Sequence, residues 1–301
     1  MSQLERMKIF VEVAKHESFT EAGKQLGITG AAVSKQVQNL ENDLQIKLFN
    51  RTTRLVSLTE EGSLLYRRAR YAIDTLDEAF EELCDLKTTP KGILRVTLPV
   101  SLGLQYLRTP IAEFAALYPE VTLKVQFEDR HVNLAEEEYD LALRIGHLKD
   151  SSLVAKKLAH IPIHLYTSPA YIKDNKPIKT PQDLRDHNVF EYTRNNDGHI
   201  WHYQAPDGKS GNVPLNSTFH CDSVEMMKEA ALHGVGIFIS PDIFVKRELE
   251  SGQLTRVLDN YETIPERNLY AVFPPNRYLS NRMRLFIDYI HDYCNQAFAE
   301  V

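Results

Sequence analysis

Residues 18–62 read SFTEAGKQLGITGAAVSKQVQNLENDLQIKLFNRTTRLVSLTEEG, and this stretch decides the architecture of the amino-terminal part. Ser18 followed by Glu21 predicts a capping box, in which hydroxyl and carboxylate each satisfy an orphan N–H at a helix start. Ala22 and Leu26 give that helix an apolar face, and Gly27 ends it where a positive φ costs little. Thr29 is placed to cap a second helix with Ala32, Val33, Val37, Leu40 and Leu44 as its buried side. Gly30, Ser34, Lys35, Gln36 and Gln38 are then left facing outward. With Thr29 they offer hydroxyl, amide and ammonium groups that reach phosphates and base edges. Helix, tight turn and second helix over about 18–44 read as a DNA-binding helix-turn-helix; the competing reading is a surface helix pair of a helical bundle.

A short basic hairpin follows. After Phe49 come Asn50, Arg51, Thr52, Thr53 and Arg54, then the loosely alternating Leu55, Val56, Ser57 and Leu58. Arg51, Thr53 and Arg54 beside a recognition helix suit phosphate contacts or the neighbouring minor groove, which makes the unit a winged helix-turn-helix.

These residues carry a family resemblance. The pattern SFTEAGKQLGIT, AVSKQVQNLENDL, LFNRTTR and LTEEG is similar to the amino-terminal domain of LysR-type transcriptional regulators, and nearly the whole chain fits that family. Downstream, FEDRHVNL, YDLALRIGHLKDSSLVAKKL and SPAYI resemble its CrgA/DmlR-like subfamily. Family members usually carry Gln-Pro at the start of the recognition helix, where this chain has Gly30-Ala31. No operator preference is therefore carried over. The resemblance implies an effector domain of two α/β subdomains, similar to periplasmic binding proteins, and tetrameric assembly.

Length, charge and cysteine usage fit such a regulator. A chain of 301 residues is long for one core. The net charge of −6 argues against a nonspecific nucleic-acid coat. Its distribution is uneven: residues 1–58 hold eight Lys/Arg against six Asp/Glu, whereas residues 59–90 hold four against eight. A weakly basic front suits site-specific binding with few phosphate contacts per monomer, reinforced by dimerisation. Cys84, Cys221 and Cys294 form no CxxC pair, as expected in a reducing cytosol. The amphipathic, charged amino terminus reads as neither signal peptide nor membrane anchor, so a cytoplasmic location is expected.

The rest of the chain divides as follows. Residues Leu4 to His16 predict a first helix packing through Leu4, Met7, Phe10, Val11 and Ala14. Thr59 predicts the cap of a long helix over 59–89, with Glu60 and Glu61 at its positive end. Leu65, Ala69, Ala72, Leu76, Ala79, Leu83 and Leu86 recur at steps of four and three, a heptad seam widened by Tyr66, Ile73 and Phe80. That seam is the candidate dimerisation surface; the alternative is an amphipathic helix packed on its own domain. At ~1.5 Å per residue such a helix runs on the order of 40 Å. Thr88-Thr89-Pro90-Lys91-Gly92 reads as a hinge before an effector domain over 90–301. Strands are expected at 93–98, 121–127, 141–145, 163–167, 235–239 and 269–273. Helices are expected at 104–118, 133–138, 168–174, 223–233 and 282–298. This alternation implies βαβ units and mostly parallel sheets. By the resemblance, subdomain I spans 90–161 and 268–301, and subdomain II spans 162–267.

Ligands of open α/β sheets sit beyond the carboxyl ends of strands, beside helix N-termini. Ser101, Leu102, Asp129, Arg144, Gly146 and His147 occupy that position in the first sheet, and Ser223 and Ile239 in the second. They predict a polar pocket for a small polar, anionic effector. The plain alternatives are that Ser101 and Ser223 are ordinary N-caps and that Arg144 pairs with Asp140 or Asp129. Cys221, at a predicted helix start, is a redox candidate or an inert small residue. Trp201, with His199, His202 and Tyr203, belongs to the second core or to the cleft rim.

The eleven histidines are scattered along the chain and suggest no metal site, so neither metal nor cofactor is expected. Gly234-Val235-Gly236 is half a dinucleotide motif in the wrong place, and no Gly-x-Ser-x-Gly elbow exists. The competing class, a solute-binding-fold enzyme or redox sensor fused to a DNA-binding arm, thus lacks catalytic motifs. The expected partners are double-stranded DNA with two-fold symmetry, a small-molecule effector, a second copy in a homodimer or homotetramer, and, as a further candidate, RNA polymerase.

Overall fold

The computed structural model describes residues 1–51, 56–84, 90–130, 132–134, 137, 139–147, 153–194, 199–275 and 279–298; the side chains of 51, 74–75 and 77–84 lie outside the description. They fall in two compact units, Met1–Thr88 and Thr89–Val301.

In the first unit α1 (Gln3–His16) opens on a full capping box: Ser2 Oγ accepts from Glu5 N at 3.2 Å and the Glu5 carboxylate accepts from Ser2 N at 2.6 Å. Ile9, Phe10, Val11 and Val13 are its buried side, whereas Leu4, expected inward, is 43% exposed. The core meets α1 only beyond its capped first turn. The expected box at Ser18 is half formed. Ser18 Oγ accepts from Glu21 N at 3.2 Å, but the Glu21 carboxylate turns to the Lys24 ammonium at 3.0 Å, one helical turn on. Helix α2 (Phe19–Leu26) ends at Gly27 with φ 67°.

Thr29 caps α3 (Gly30–Leu44), accepting from Ala32 N at 3.2 Å, and Val33, Val37 and Leu40 fill the core between the helices. The same face carries Glu41, a buried carboxylate that the apolar pattern did not reveal. Its Oε1 accepts from Leu48 N at 2.8 Å and Phe49 N at 3.3 Å, while Oε2 meets Lys47 Nζ at 3.3 Å. Those N–H groups lead into the wing, β1 (Phe49–Arg51) against β2 (Val56–Leu58), antiparallel with Phe49 opposite Leu58.

Thr59 then joins wing to helix: its hydroxyl donates to Lys47 O at 2.8 Å and accepts from Gly62 N at 2.9 Å. A Cβ on Gly62 would lie 2.0 Å from the Leu48 carbonyl oxygen, so no other residue fits. Helix α4 (Glu60–Cys84) corrects the seam. Ala69 and Ile73 are buried in the winged domain's own core, with Leu65 and Tyr66 packed against it. The step of four from 65 to 69 to 73 is one face of a 3.6-residue helix, and the adjoining core claims it first. Among the described side chains of the expected seam, Ala72 and Leu76 are exposed, Leu76 by 42%. The side chains of Ala79 and Leu83, and residue Leu86, lie outside the described residues.

In the second unit β3 (Gly92–Leu98) leads into a helical run longer than expected: α5 (Val100–Leu102), a π-turn at Gly103–Leu107 and α6 (Arg108–Leu117). Strands β4 (Val121–Phe127), β5 (Leu141–Gly146) and β6 (Val154–His160) follow; β6 has no counterpart in the sequence reading. Of the helix expected at 133–138, residues 135, 136 and 138 lie outside the described residues, and Glu137 N donates to Asn133 O at 2.9 Å, as in a helical turn. After the crossing, β7 (Ile163–Thr167), α7 (Pro169–Asp174), β8 (Glu191–Tyr192), β9 (Ile200–Gln204), β10 (Ser210–Pro214), β11 (His220–Cys221), α8 (Val224–Leu232) and β12 (Phe238–Pro241) form the second set. It continues through α9 (Lys246–Glu250), β13 (Thr255–Val257) and β14 (Glu262–Thr263). Strand β15 (Asn268–Phe273) and α10 (Asn281–Ala297) then return to the first set.

The first sheet has the order β4-β3-β5-β15-β6; the second set holds β12-β7-β13, β10-β9-β14 and the pair β11-β8. Mostly parallel sheets were expected, but β15 runs antiparallel to β5 and β6, and β7 antiparallel to β12 and β13. Both reversed strands directly follow a crossing between sheets, and each enters its sheet from the opposite end. The crossings lie side by side, with Ile161 N donating to Arg267 O at 3.1 Å. Helix α9 still makes a crossover between two parallel strands, β12 and β13, with β7 between them. Asp242, buried just after β12, stitches this trio: it accepts from the Tyr166 hydroxyl and from Arg256 at 2.5 Å, and meets His164 Nδ1 at 2.7 Å. Trp201 is core, 2% exposed, and its indole N–H donates to Thr263 Oγ1 at 3.1 Å.

Candidate nucleic-acid interface and effector cleft

The apolar stripe of α3 faces α1 and α2, which turns Lys35 and Gln38 fully outward beside exposed Thr29. Ser34 and Gln36 are half-buried flanks of that face, and the Gln36 Oε1 is shielded with no partner among the described residues. Gly30, expected as part of the outward surface, serves packing instead: a Cβ there would come within 3.3 Å of the Thr20 Cα on α2. No acidic residue sits in the first turn of α3, so the positive end of its dipole is left for phosphate. Arg51 continues the wing strand, while its side chain and residues Thr53 and Arg54 lie outside the described residues.

In the second unit the ends of β3, β4 and β5 meet. Ser101 is not the N-cap: Pro99 holds that position, and the Asp129 carboxylate accepts from Val100 N at 3.1 Å. Proline allows the extended backbone of a cap but has no side-chain acceptor, so an acid from the next strand end supplies it. Leu102 is fully buried in the core rather than at the cleft surface. The Arg144 guanidinium donates to the Glu128 carbonyl at 2.9 Å and to the Thr97 hydroxyl at 3.4 Å. Burial lowers its pKa, and the charges of Asp129 and Glu128 push back. Asp140, one of the alternative partners, instead accepts from Arg95 N at 2.7 Å. Gly146 is half-buried at the end of β5 and His147 is exposed beyond it.

The opposite wall comes from β8, β11 and α8. Burial raises the Tyr192 phenol to about 12, and the charge of Asp129 adds to it; the same Asp129 acts on Arg194. Arg194 pairs with Asp222 at 2.7 Å. Ser223 caps α8, accepting from Met226 N at 3.4 Å, and the adjacent Val224 packs on the core of the first sheet. The charge of Asp129 thus acts on Arg144 and, in the second set, on Tyr192 and Arg194. Tyr192 and Arg194 are absent from the sequence reading, because a two-residue strand leaves no periodic signal. Ile239 packs against the second core. A separate surface hollow of about 520 Å³, bordered by Ile172, Lys179, Arg256 and Asp259, includes none of the expected effector residues.

Two family models match this chain: "Bacterial regulatory helix-turn-helix protein, lysR family" over residues 4–63 and "LysR substrate binding domain" over residues 87–295. The chain belongs to the LysR family. A transcriptional regulator of Xanthomonas campestris pv. campestris is 34% identical over 285 residues, covering 94% of this chain and 83% of the relative. PtxR of Pseudomonas aeruginosa is 31% identical over 290 residues, covering 96% and 92%. The structure of CrgA from Neisseria meningitidis, at 30% identity, covers 97% of this chain and 99% of CrgA with a TM-score of 0.59. Full-length AphB of Vibrio cholerae, at 25% identity, has the same TM-score. This LysR-type protein is a DNA-binding transcriptional regulator with an effector-binding domain, and not an enzyme. None of its described helices is long and apolar enough to cross a membrane.

Proposed function

We propose that this regulator reads a two-fold-related DNA site through Lys35 and Gln38, assisted by Thr29, Ser34 and Gln36, with Arg51, Thr53 and Arg54 on flanking phosphates. The observation that carries this reading is the division of α3: Val33, Val37 and Leu40 fully inside, Lys35 and Gln38 fully outside. Alanine at Lys35 or Gln38 touches no core group, so the fold survives while specific affinity falls by ~1–3 kcal/mol for each lost base contact. Fluorescence anisotropy on a selected operator measures this loss. Operator affinity equal to wild type in both variants removes α3 from readout. The partner copy docks along the outer face of α4 through Ala72 and Leu76, and the regulator works in the cytoplasm on promoters served by RNA polymerase.

The effector in this reading is a small polar, anionic metabolite held between the two sheets. Arg144 supports it, because among the described residues its guanidinium hydrogen-bonds a carbonyl and a hydroxyl, with the charges of Asp129 and Glu128 nearby. The first turn of α8 supports it from the other wall through the N–H groups that Ser223 leaves uncapped, against the charge of Glu225 in the same turn. Such a ligand shifts DNA binding only by preferring one arrangement of the subdomains. Thermal-shift screening of metabolites against wild type and Arg144→Ala tests the site. Anionic compounds should stabilise wild type and lose most of that effect in the variant. Equal stabilisation of both proteins excludes Arg144.

A further inference from the structure

The geometry points to a metal site on the second subdomain: Glu191, His199 and His220 bind one divalent transition ion of zinc's chemical class. Three separate segments deliver these side chains. Glu191 and His220 lie opposite each other in the parallel pair β8–β11, which puts both on one face. His199 stands just before β9, with its carbonyl accepting from Leu215 N at 2.6 Å. His199 Nε2 lies 3.1 Å from Glu191 Oε2, and His220 Nδ1 reaches the same oxygen. One donor atom from each residue falls within 4.8 Å of the other two, and the rings stand 5.6 Å apart at 85°.

Donor atoms at ~2.0–2.1 Å from a tetrahedral zinc are ~3.3 Å apart, so small side-chain rotations open this cluster around an ion. Two imidazole nitrogens and one carboxylate oxygen select zinc and its late first-row neighbours over magnesium or calcium, which take oxygen ligands. Side-chain exposures of 24% for Glu191, 44% for His199 and 46% for His220 leave room for water as a fourth ligand. As bare surface ion pairs these contacts contribute little, and they do not require two imidazoles to converge on one carboxylate. A shared cation requires that convergence. The ion would fasten the start of β9 to the β8–β11 pair, whose next residues, Tyr192 and Arg194, wall the cleft.

Untagged full-length protein, stripped with chelator, is titrated with Zn²⁺ by calorimetry and with Co²⁺ by visible absorption. The expected result is one equivalent per chain and the ligand-field bands of a low-coordinate cobalt site, with no response to Mg²⁺. His199→Ala and His220→Ala, both at exposed positions, should each weaken Zn²⁺ binding about 100-fold or more, whereas His202→Ala should not. Absence of stoichiometric Zn²⁺ binding by wild type overturns the proposal. So does an affinity of the His199→Ala, His220→Ala double variant equal to that of wild type.

Discussion

Replacing Glu41 by alanine removes the acceptor of two buried N–H groups, those of Leu48 and Phe49 at 2.8 and 3.3 Å. Leu48 is 1% exposed and Phe49 4%, so water does not replace the carboxylate freely. An unsatisfied buried donor costs ~1–3 kcal/mol, which for two donors places the loss at ~2–6 kcal/mol of a domain stability of ~5–15 kcal/mol. Glu41→Gln keeps an amide oxygen for both donors and removes the negative charge that meets Lys47, whose side chain is 72% exposed. That change should cost less than Glu41→Ala. The pH dependence separates the two effects. Burial opposes ionisation of Glu41, but the Leu48 and Phe49 N–H groups and the Lys47 ammonium outweigh it and hold the carboxyl below 4.5. A depressed acid contributes stability above its unfolded pKa and loses it as pH falls through the folded value. The margin of wild type over Glu41→Gln should therefore shrink below about pH 4.5. Circular-dichroism melts give the stability differences, and hydrogen exchange at Leu48 and Phe49 locates them. Glu41→Ala should expose both amides and weaken operator binding, since β1 carries Arg51. A Glu41→Ala protein with wild-type melting and wild-type protection of these amides refutes the reasoning.

Three further outcomes follow from the first unit. Leu76→Glu, on an exposed side chain, should leave the winged domain folded and abolish self-association in sedimentation. Ala69→Glu should instead unfold that domain by burying a carboxylate, at a cost of several kcal/mol; a folded dimer in either variant contradicts the division of α4. Gly62→Ala should lower the melting temperature of the winged domain markedly, because its methyl meets backbone rather than a side chain that can move.

Caps and apolar stripes were the legible part of this chain. Ser18, Thr29, Thr59 and Ser223 all act as helix caps where the residue types predicted them, and β4 spans the expected 121–127. What stayed hidden has identifiable causes. Spacing at Leu65, Ala69 and Leu76 fits a heptad seam and a core-facing stripe equally well, and only the neighbouring core distinguishes them. Glu41 reads as a solvated charge until its backbone donors are placed around it. Direction in β7 and β15 depends on where the chain crosses between sheets, which local pattern does not encode. Tyr192, Arg194 and the Glu191–His199–His220 cluster depend on two-residue strands and on distant segments meeting.

Selection of bound fragments from the source genome tests the central claim most directly. Full-length protein should enrich a discrete set of fragments sharing two related half-sites, about one helical turn or a multiple apart. The Lys35→Ala, Gln38→Ala double variant should fail to enrich that set. Recovery of fragments in proportion to their abundance, or of the same set by wild type and variant alike, contradicts sequence-specific readout through α3.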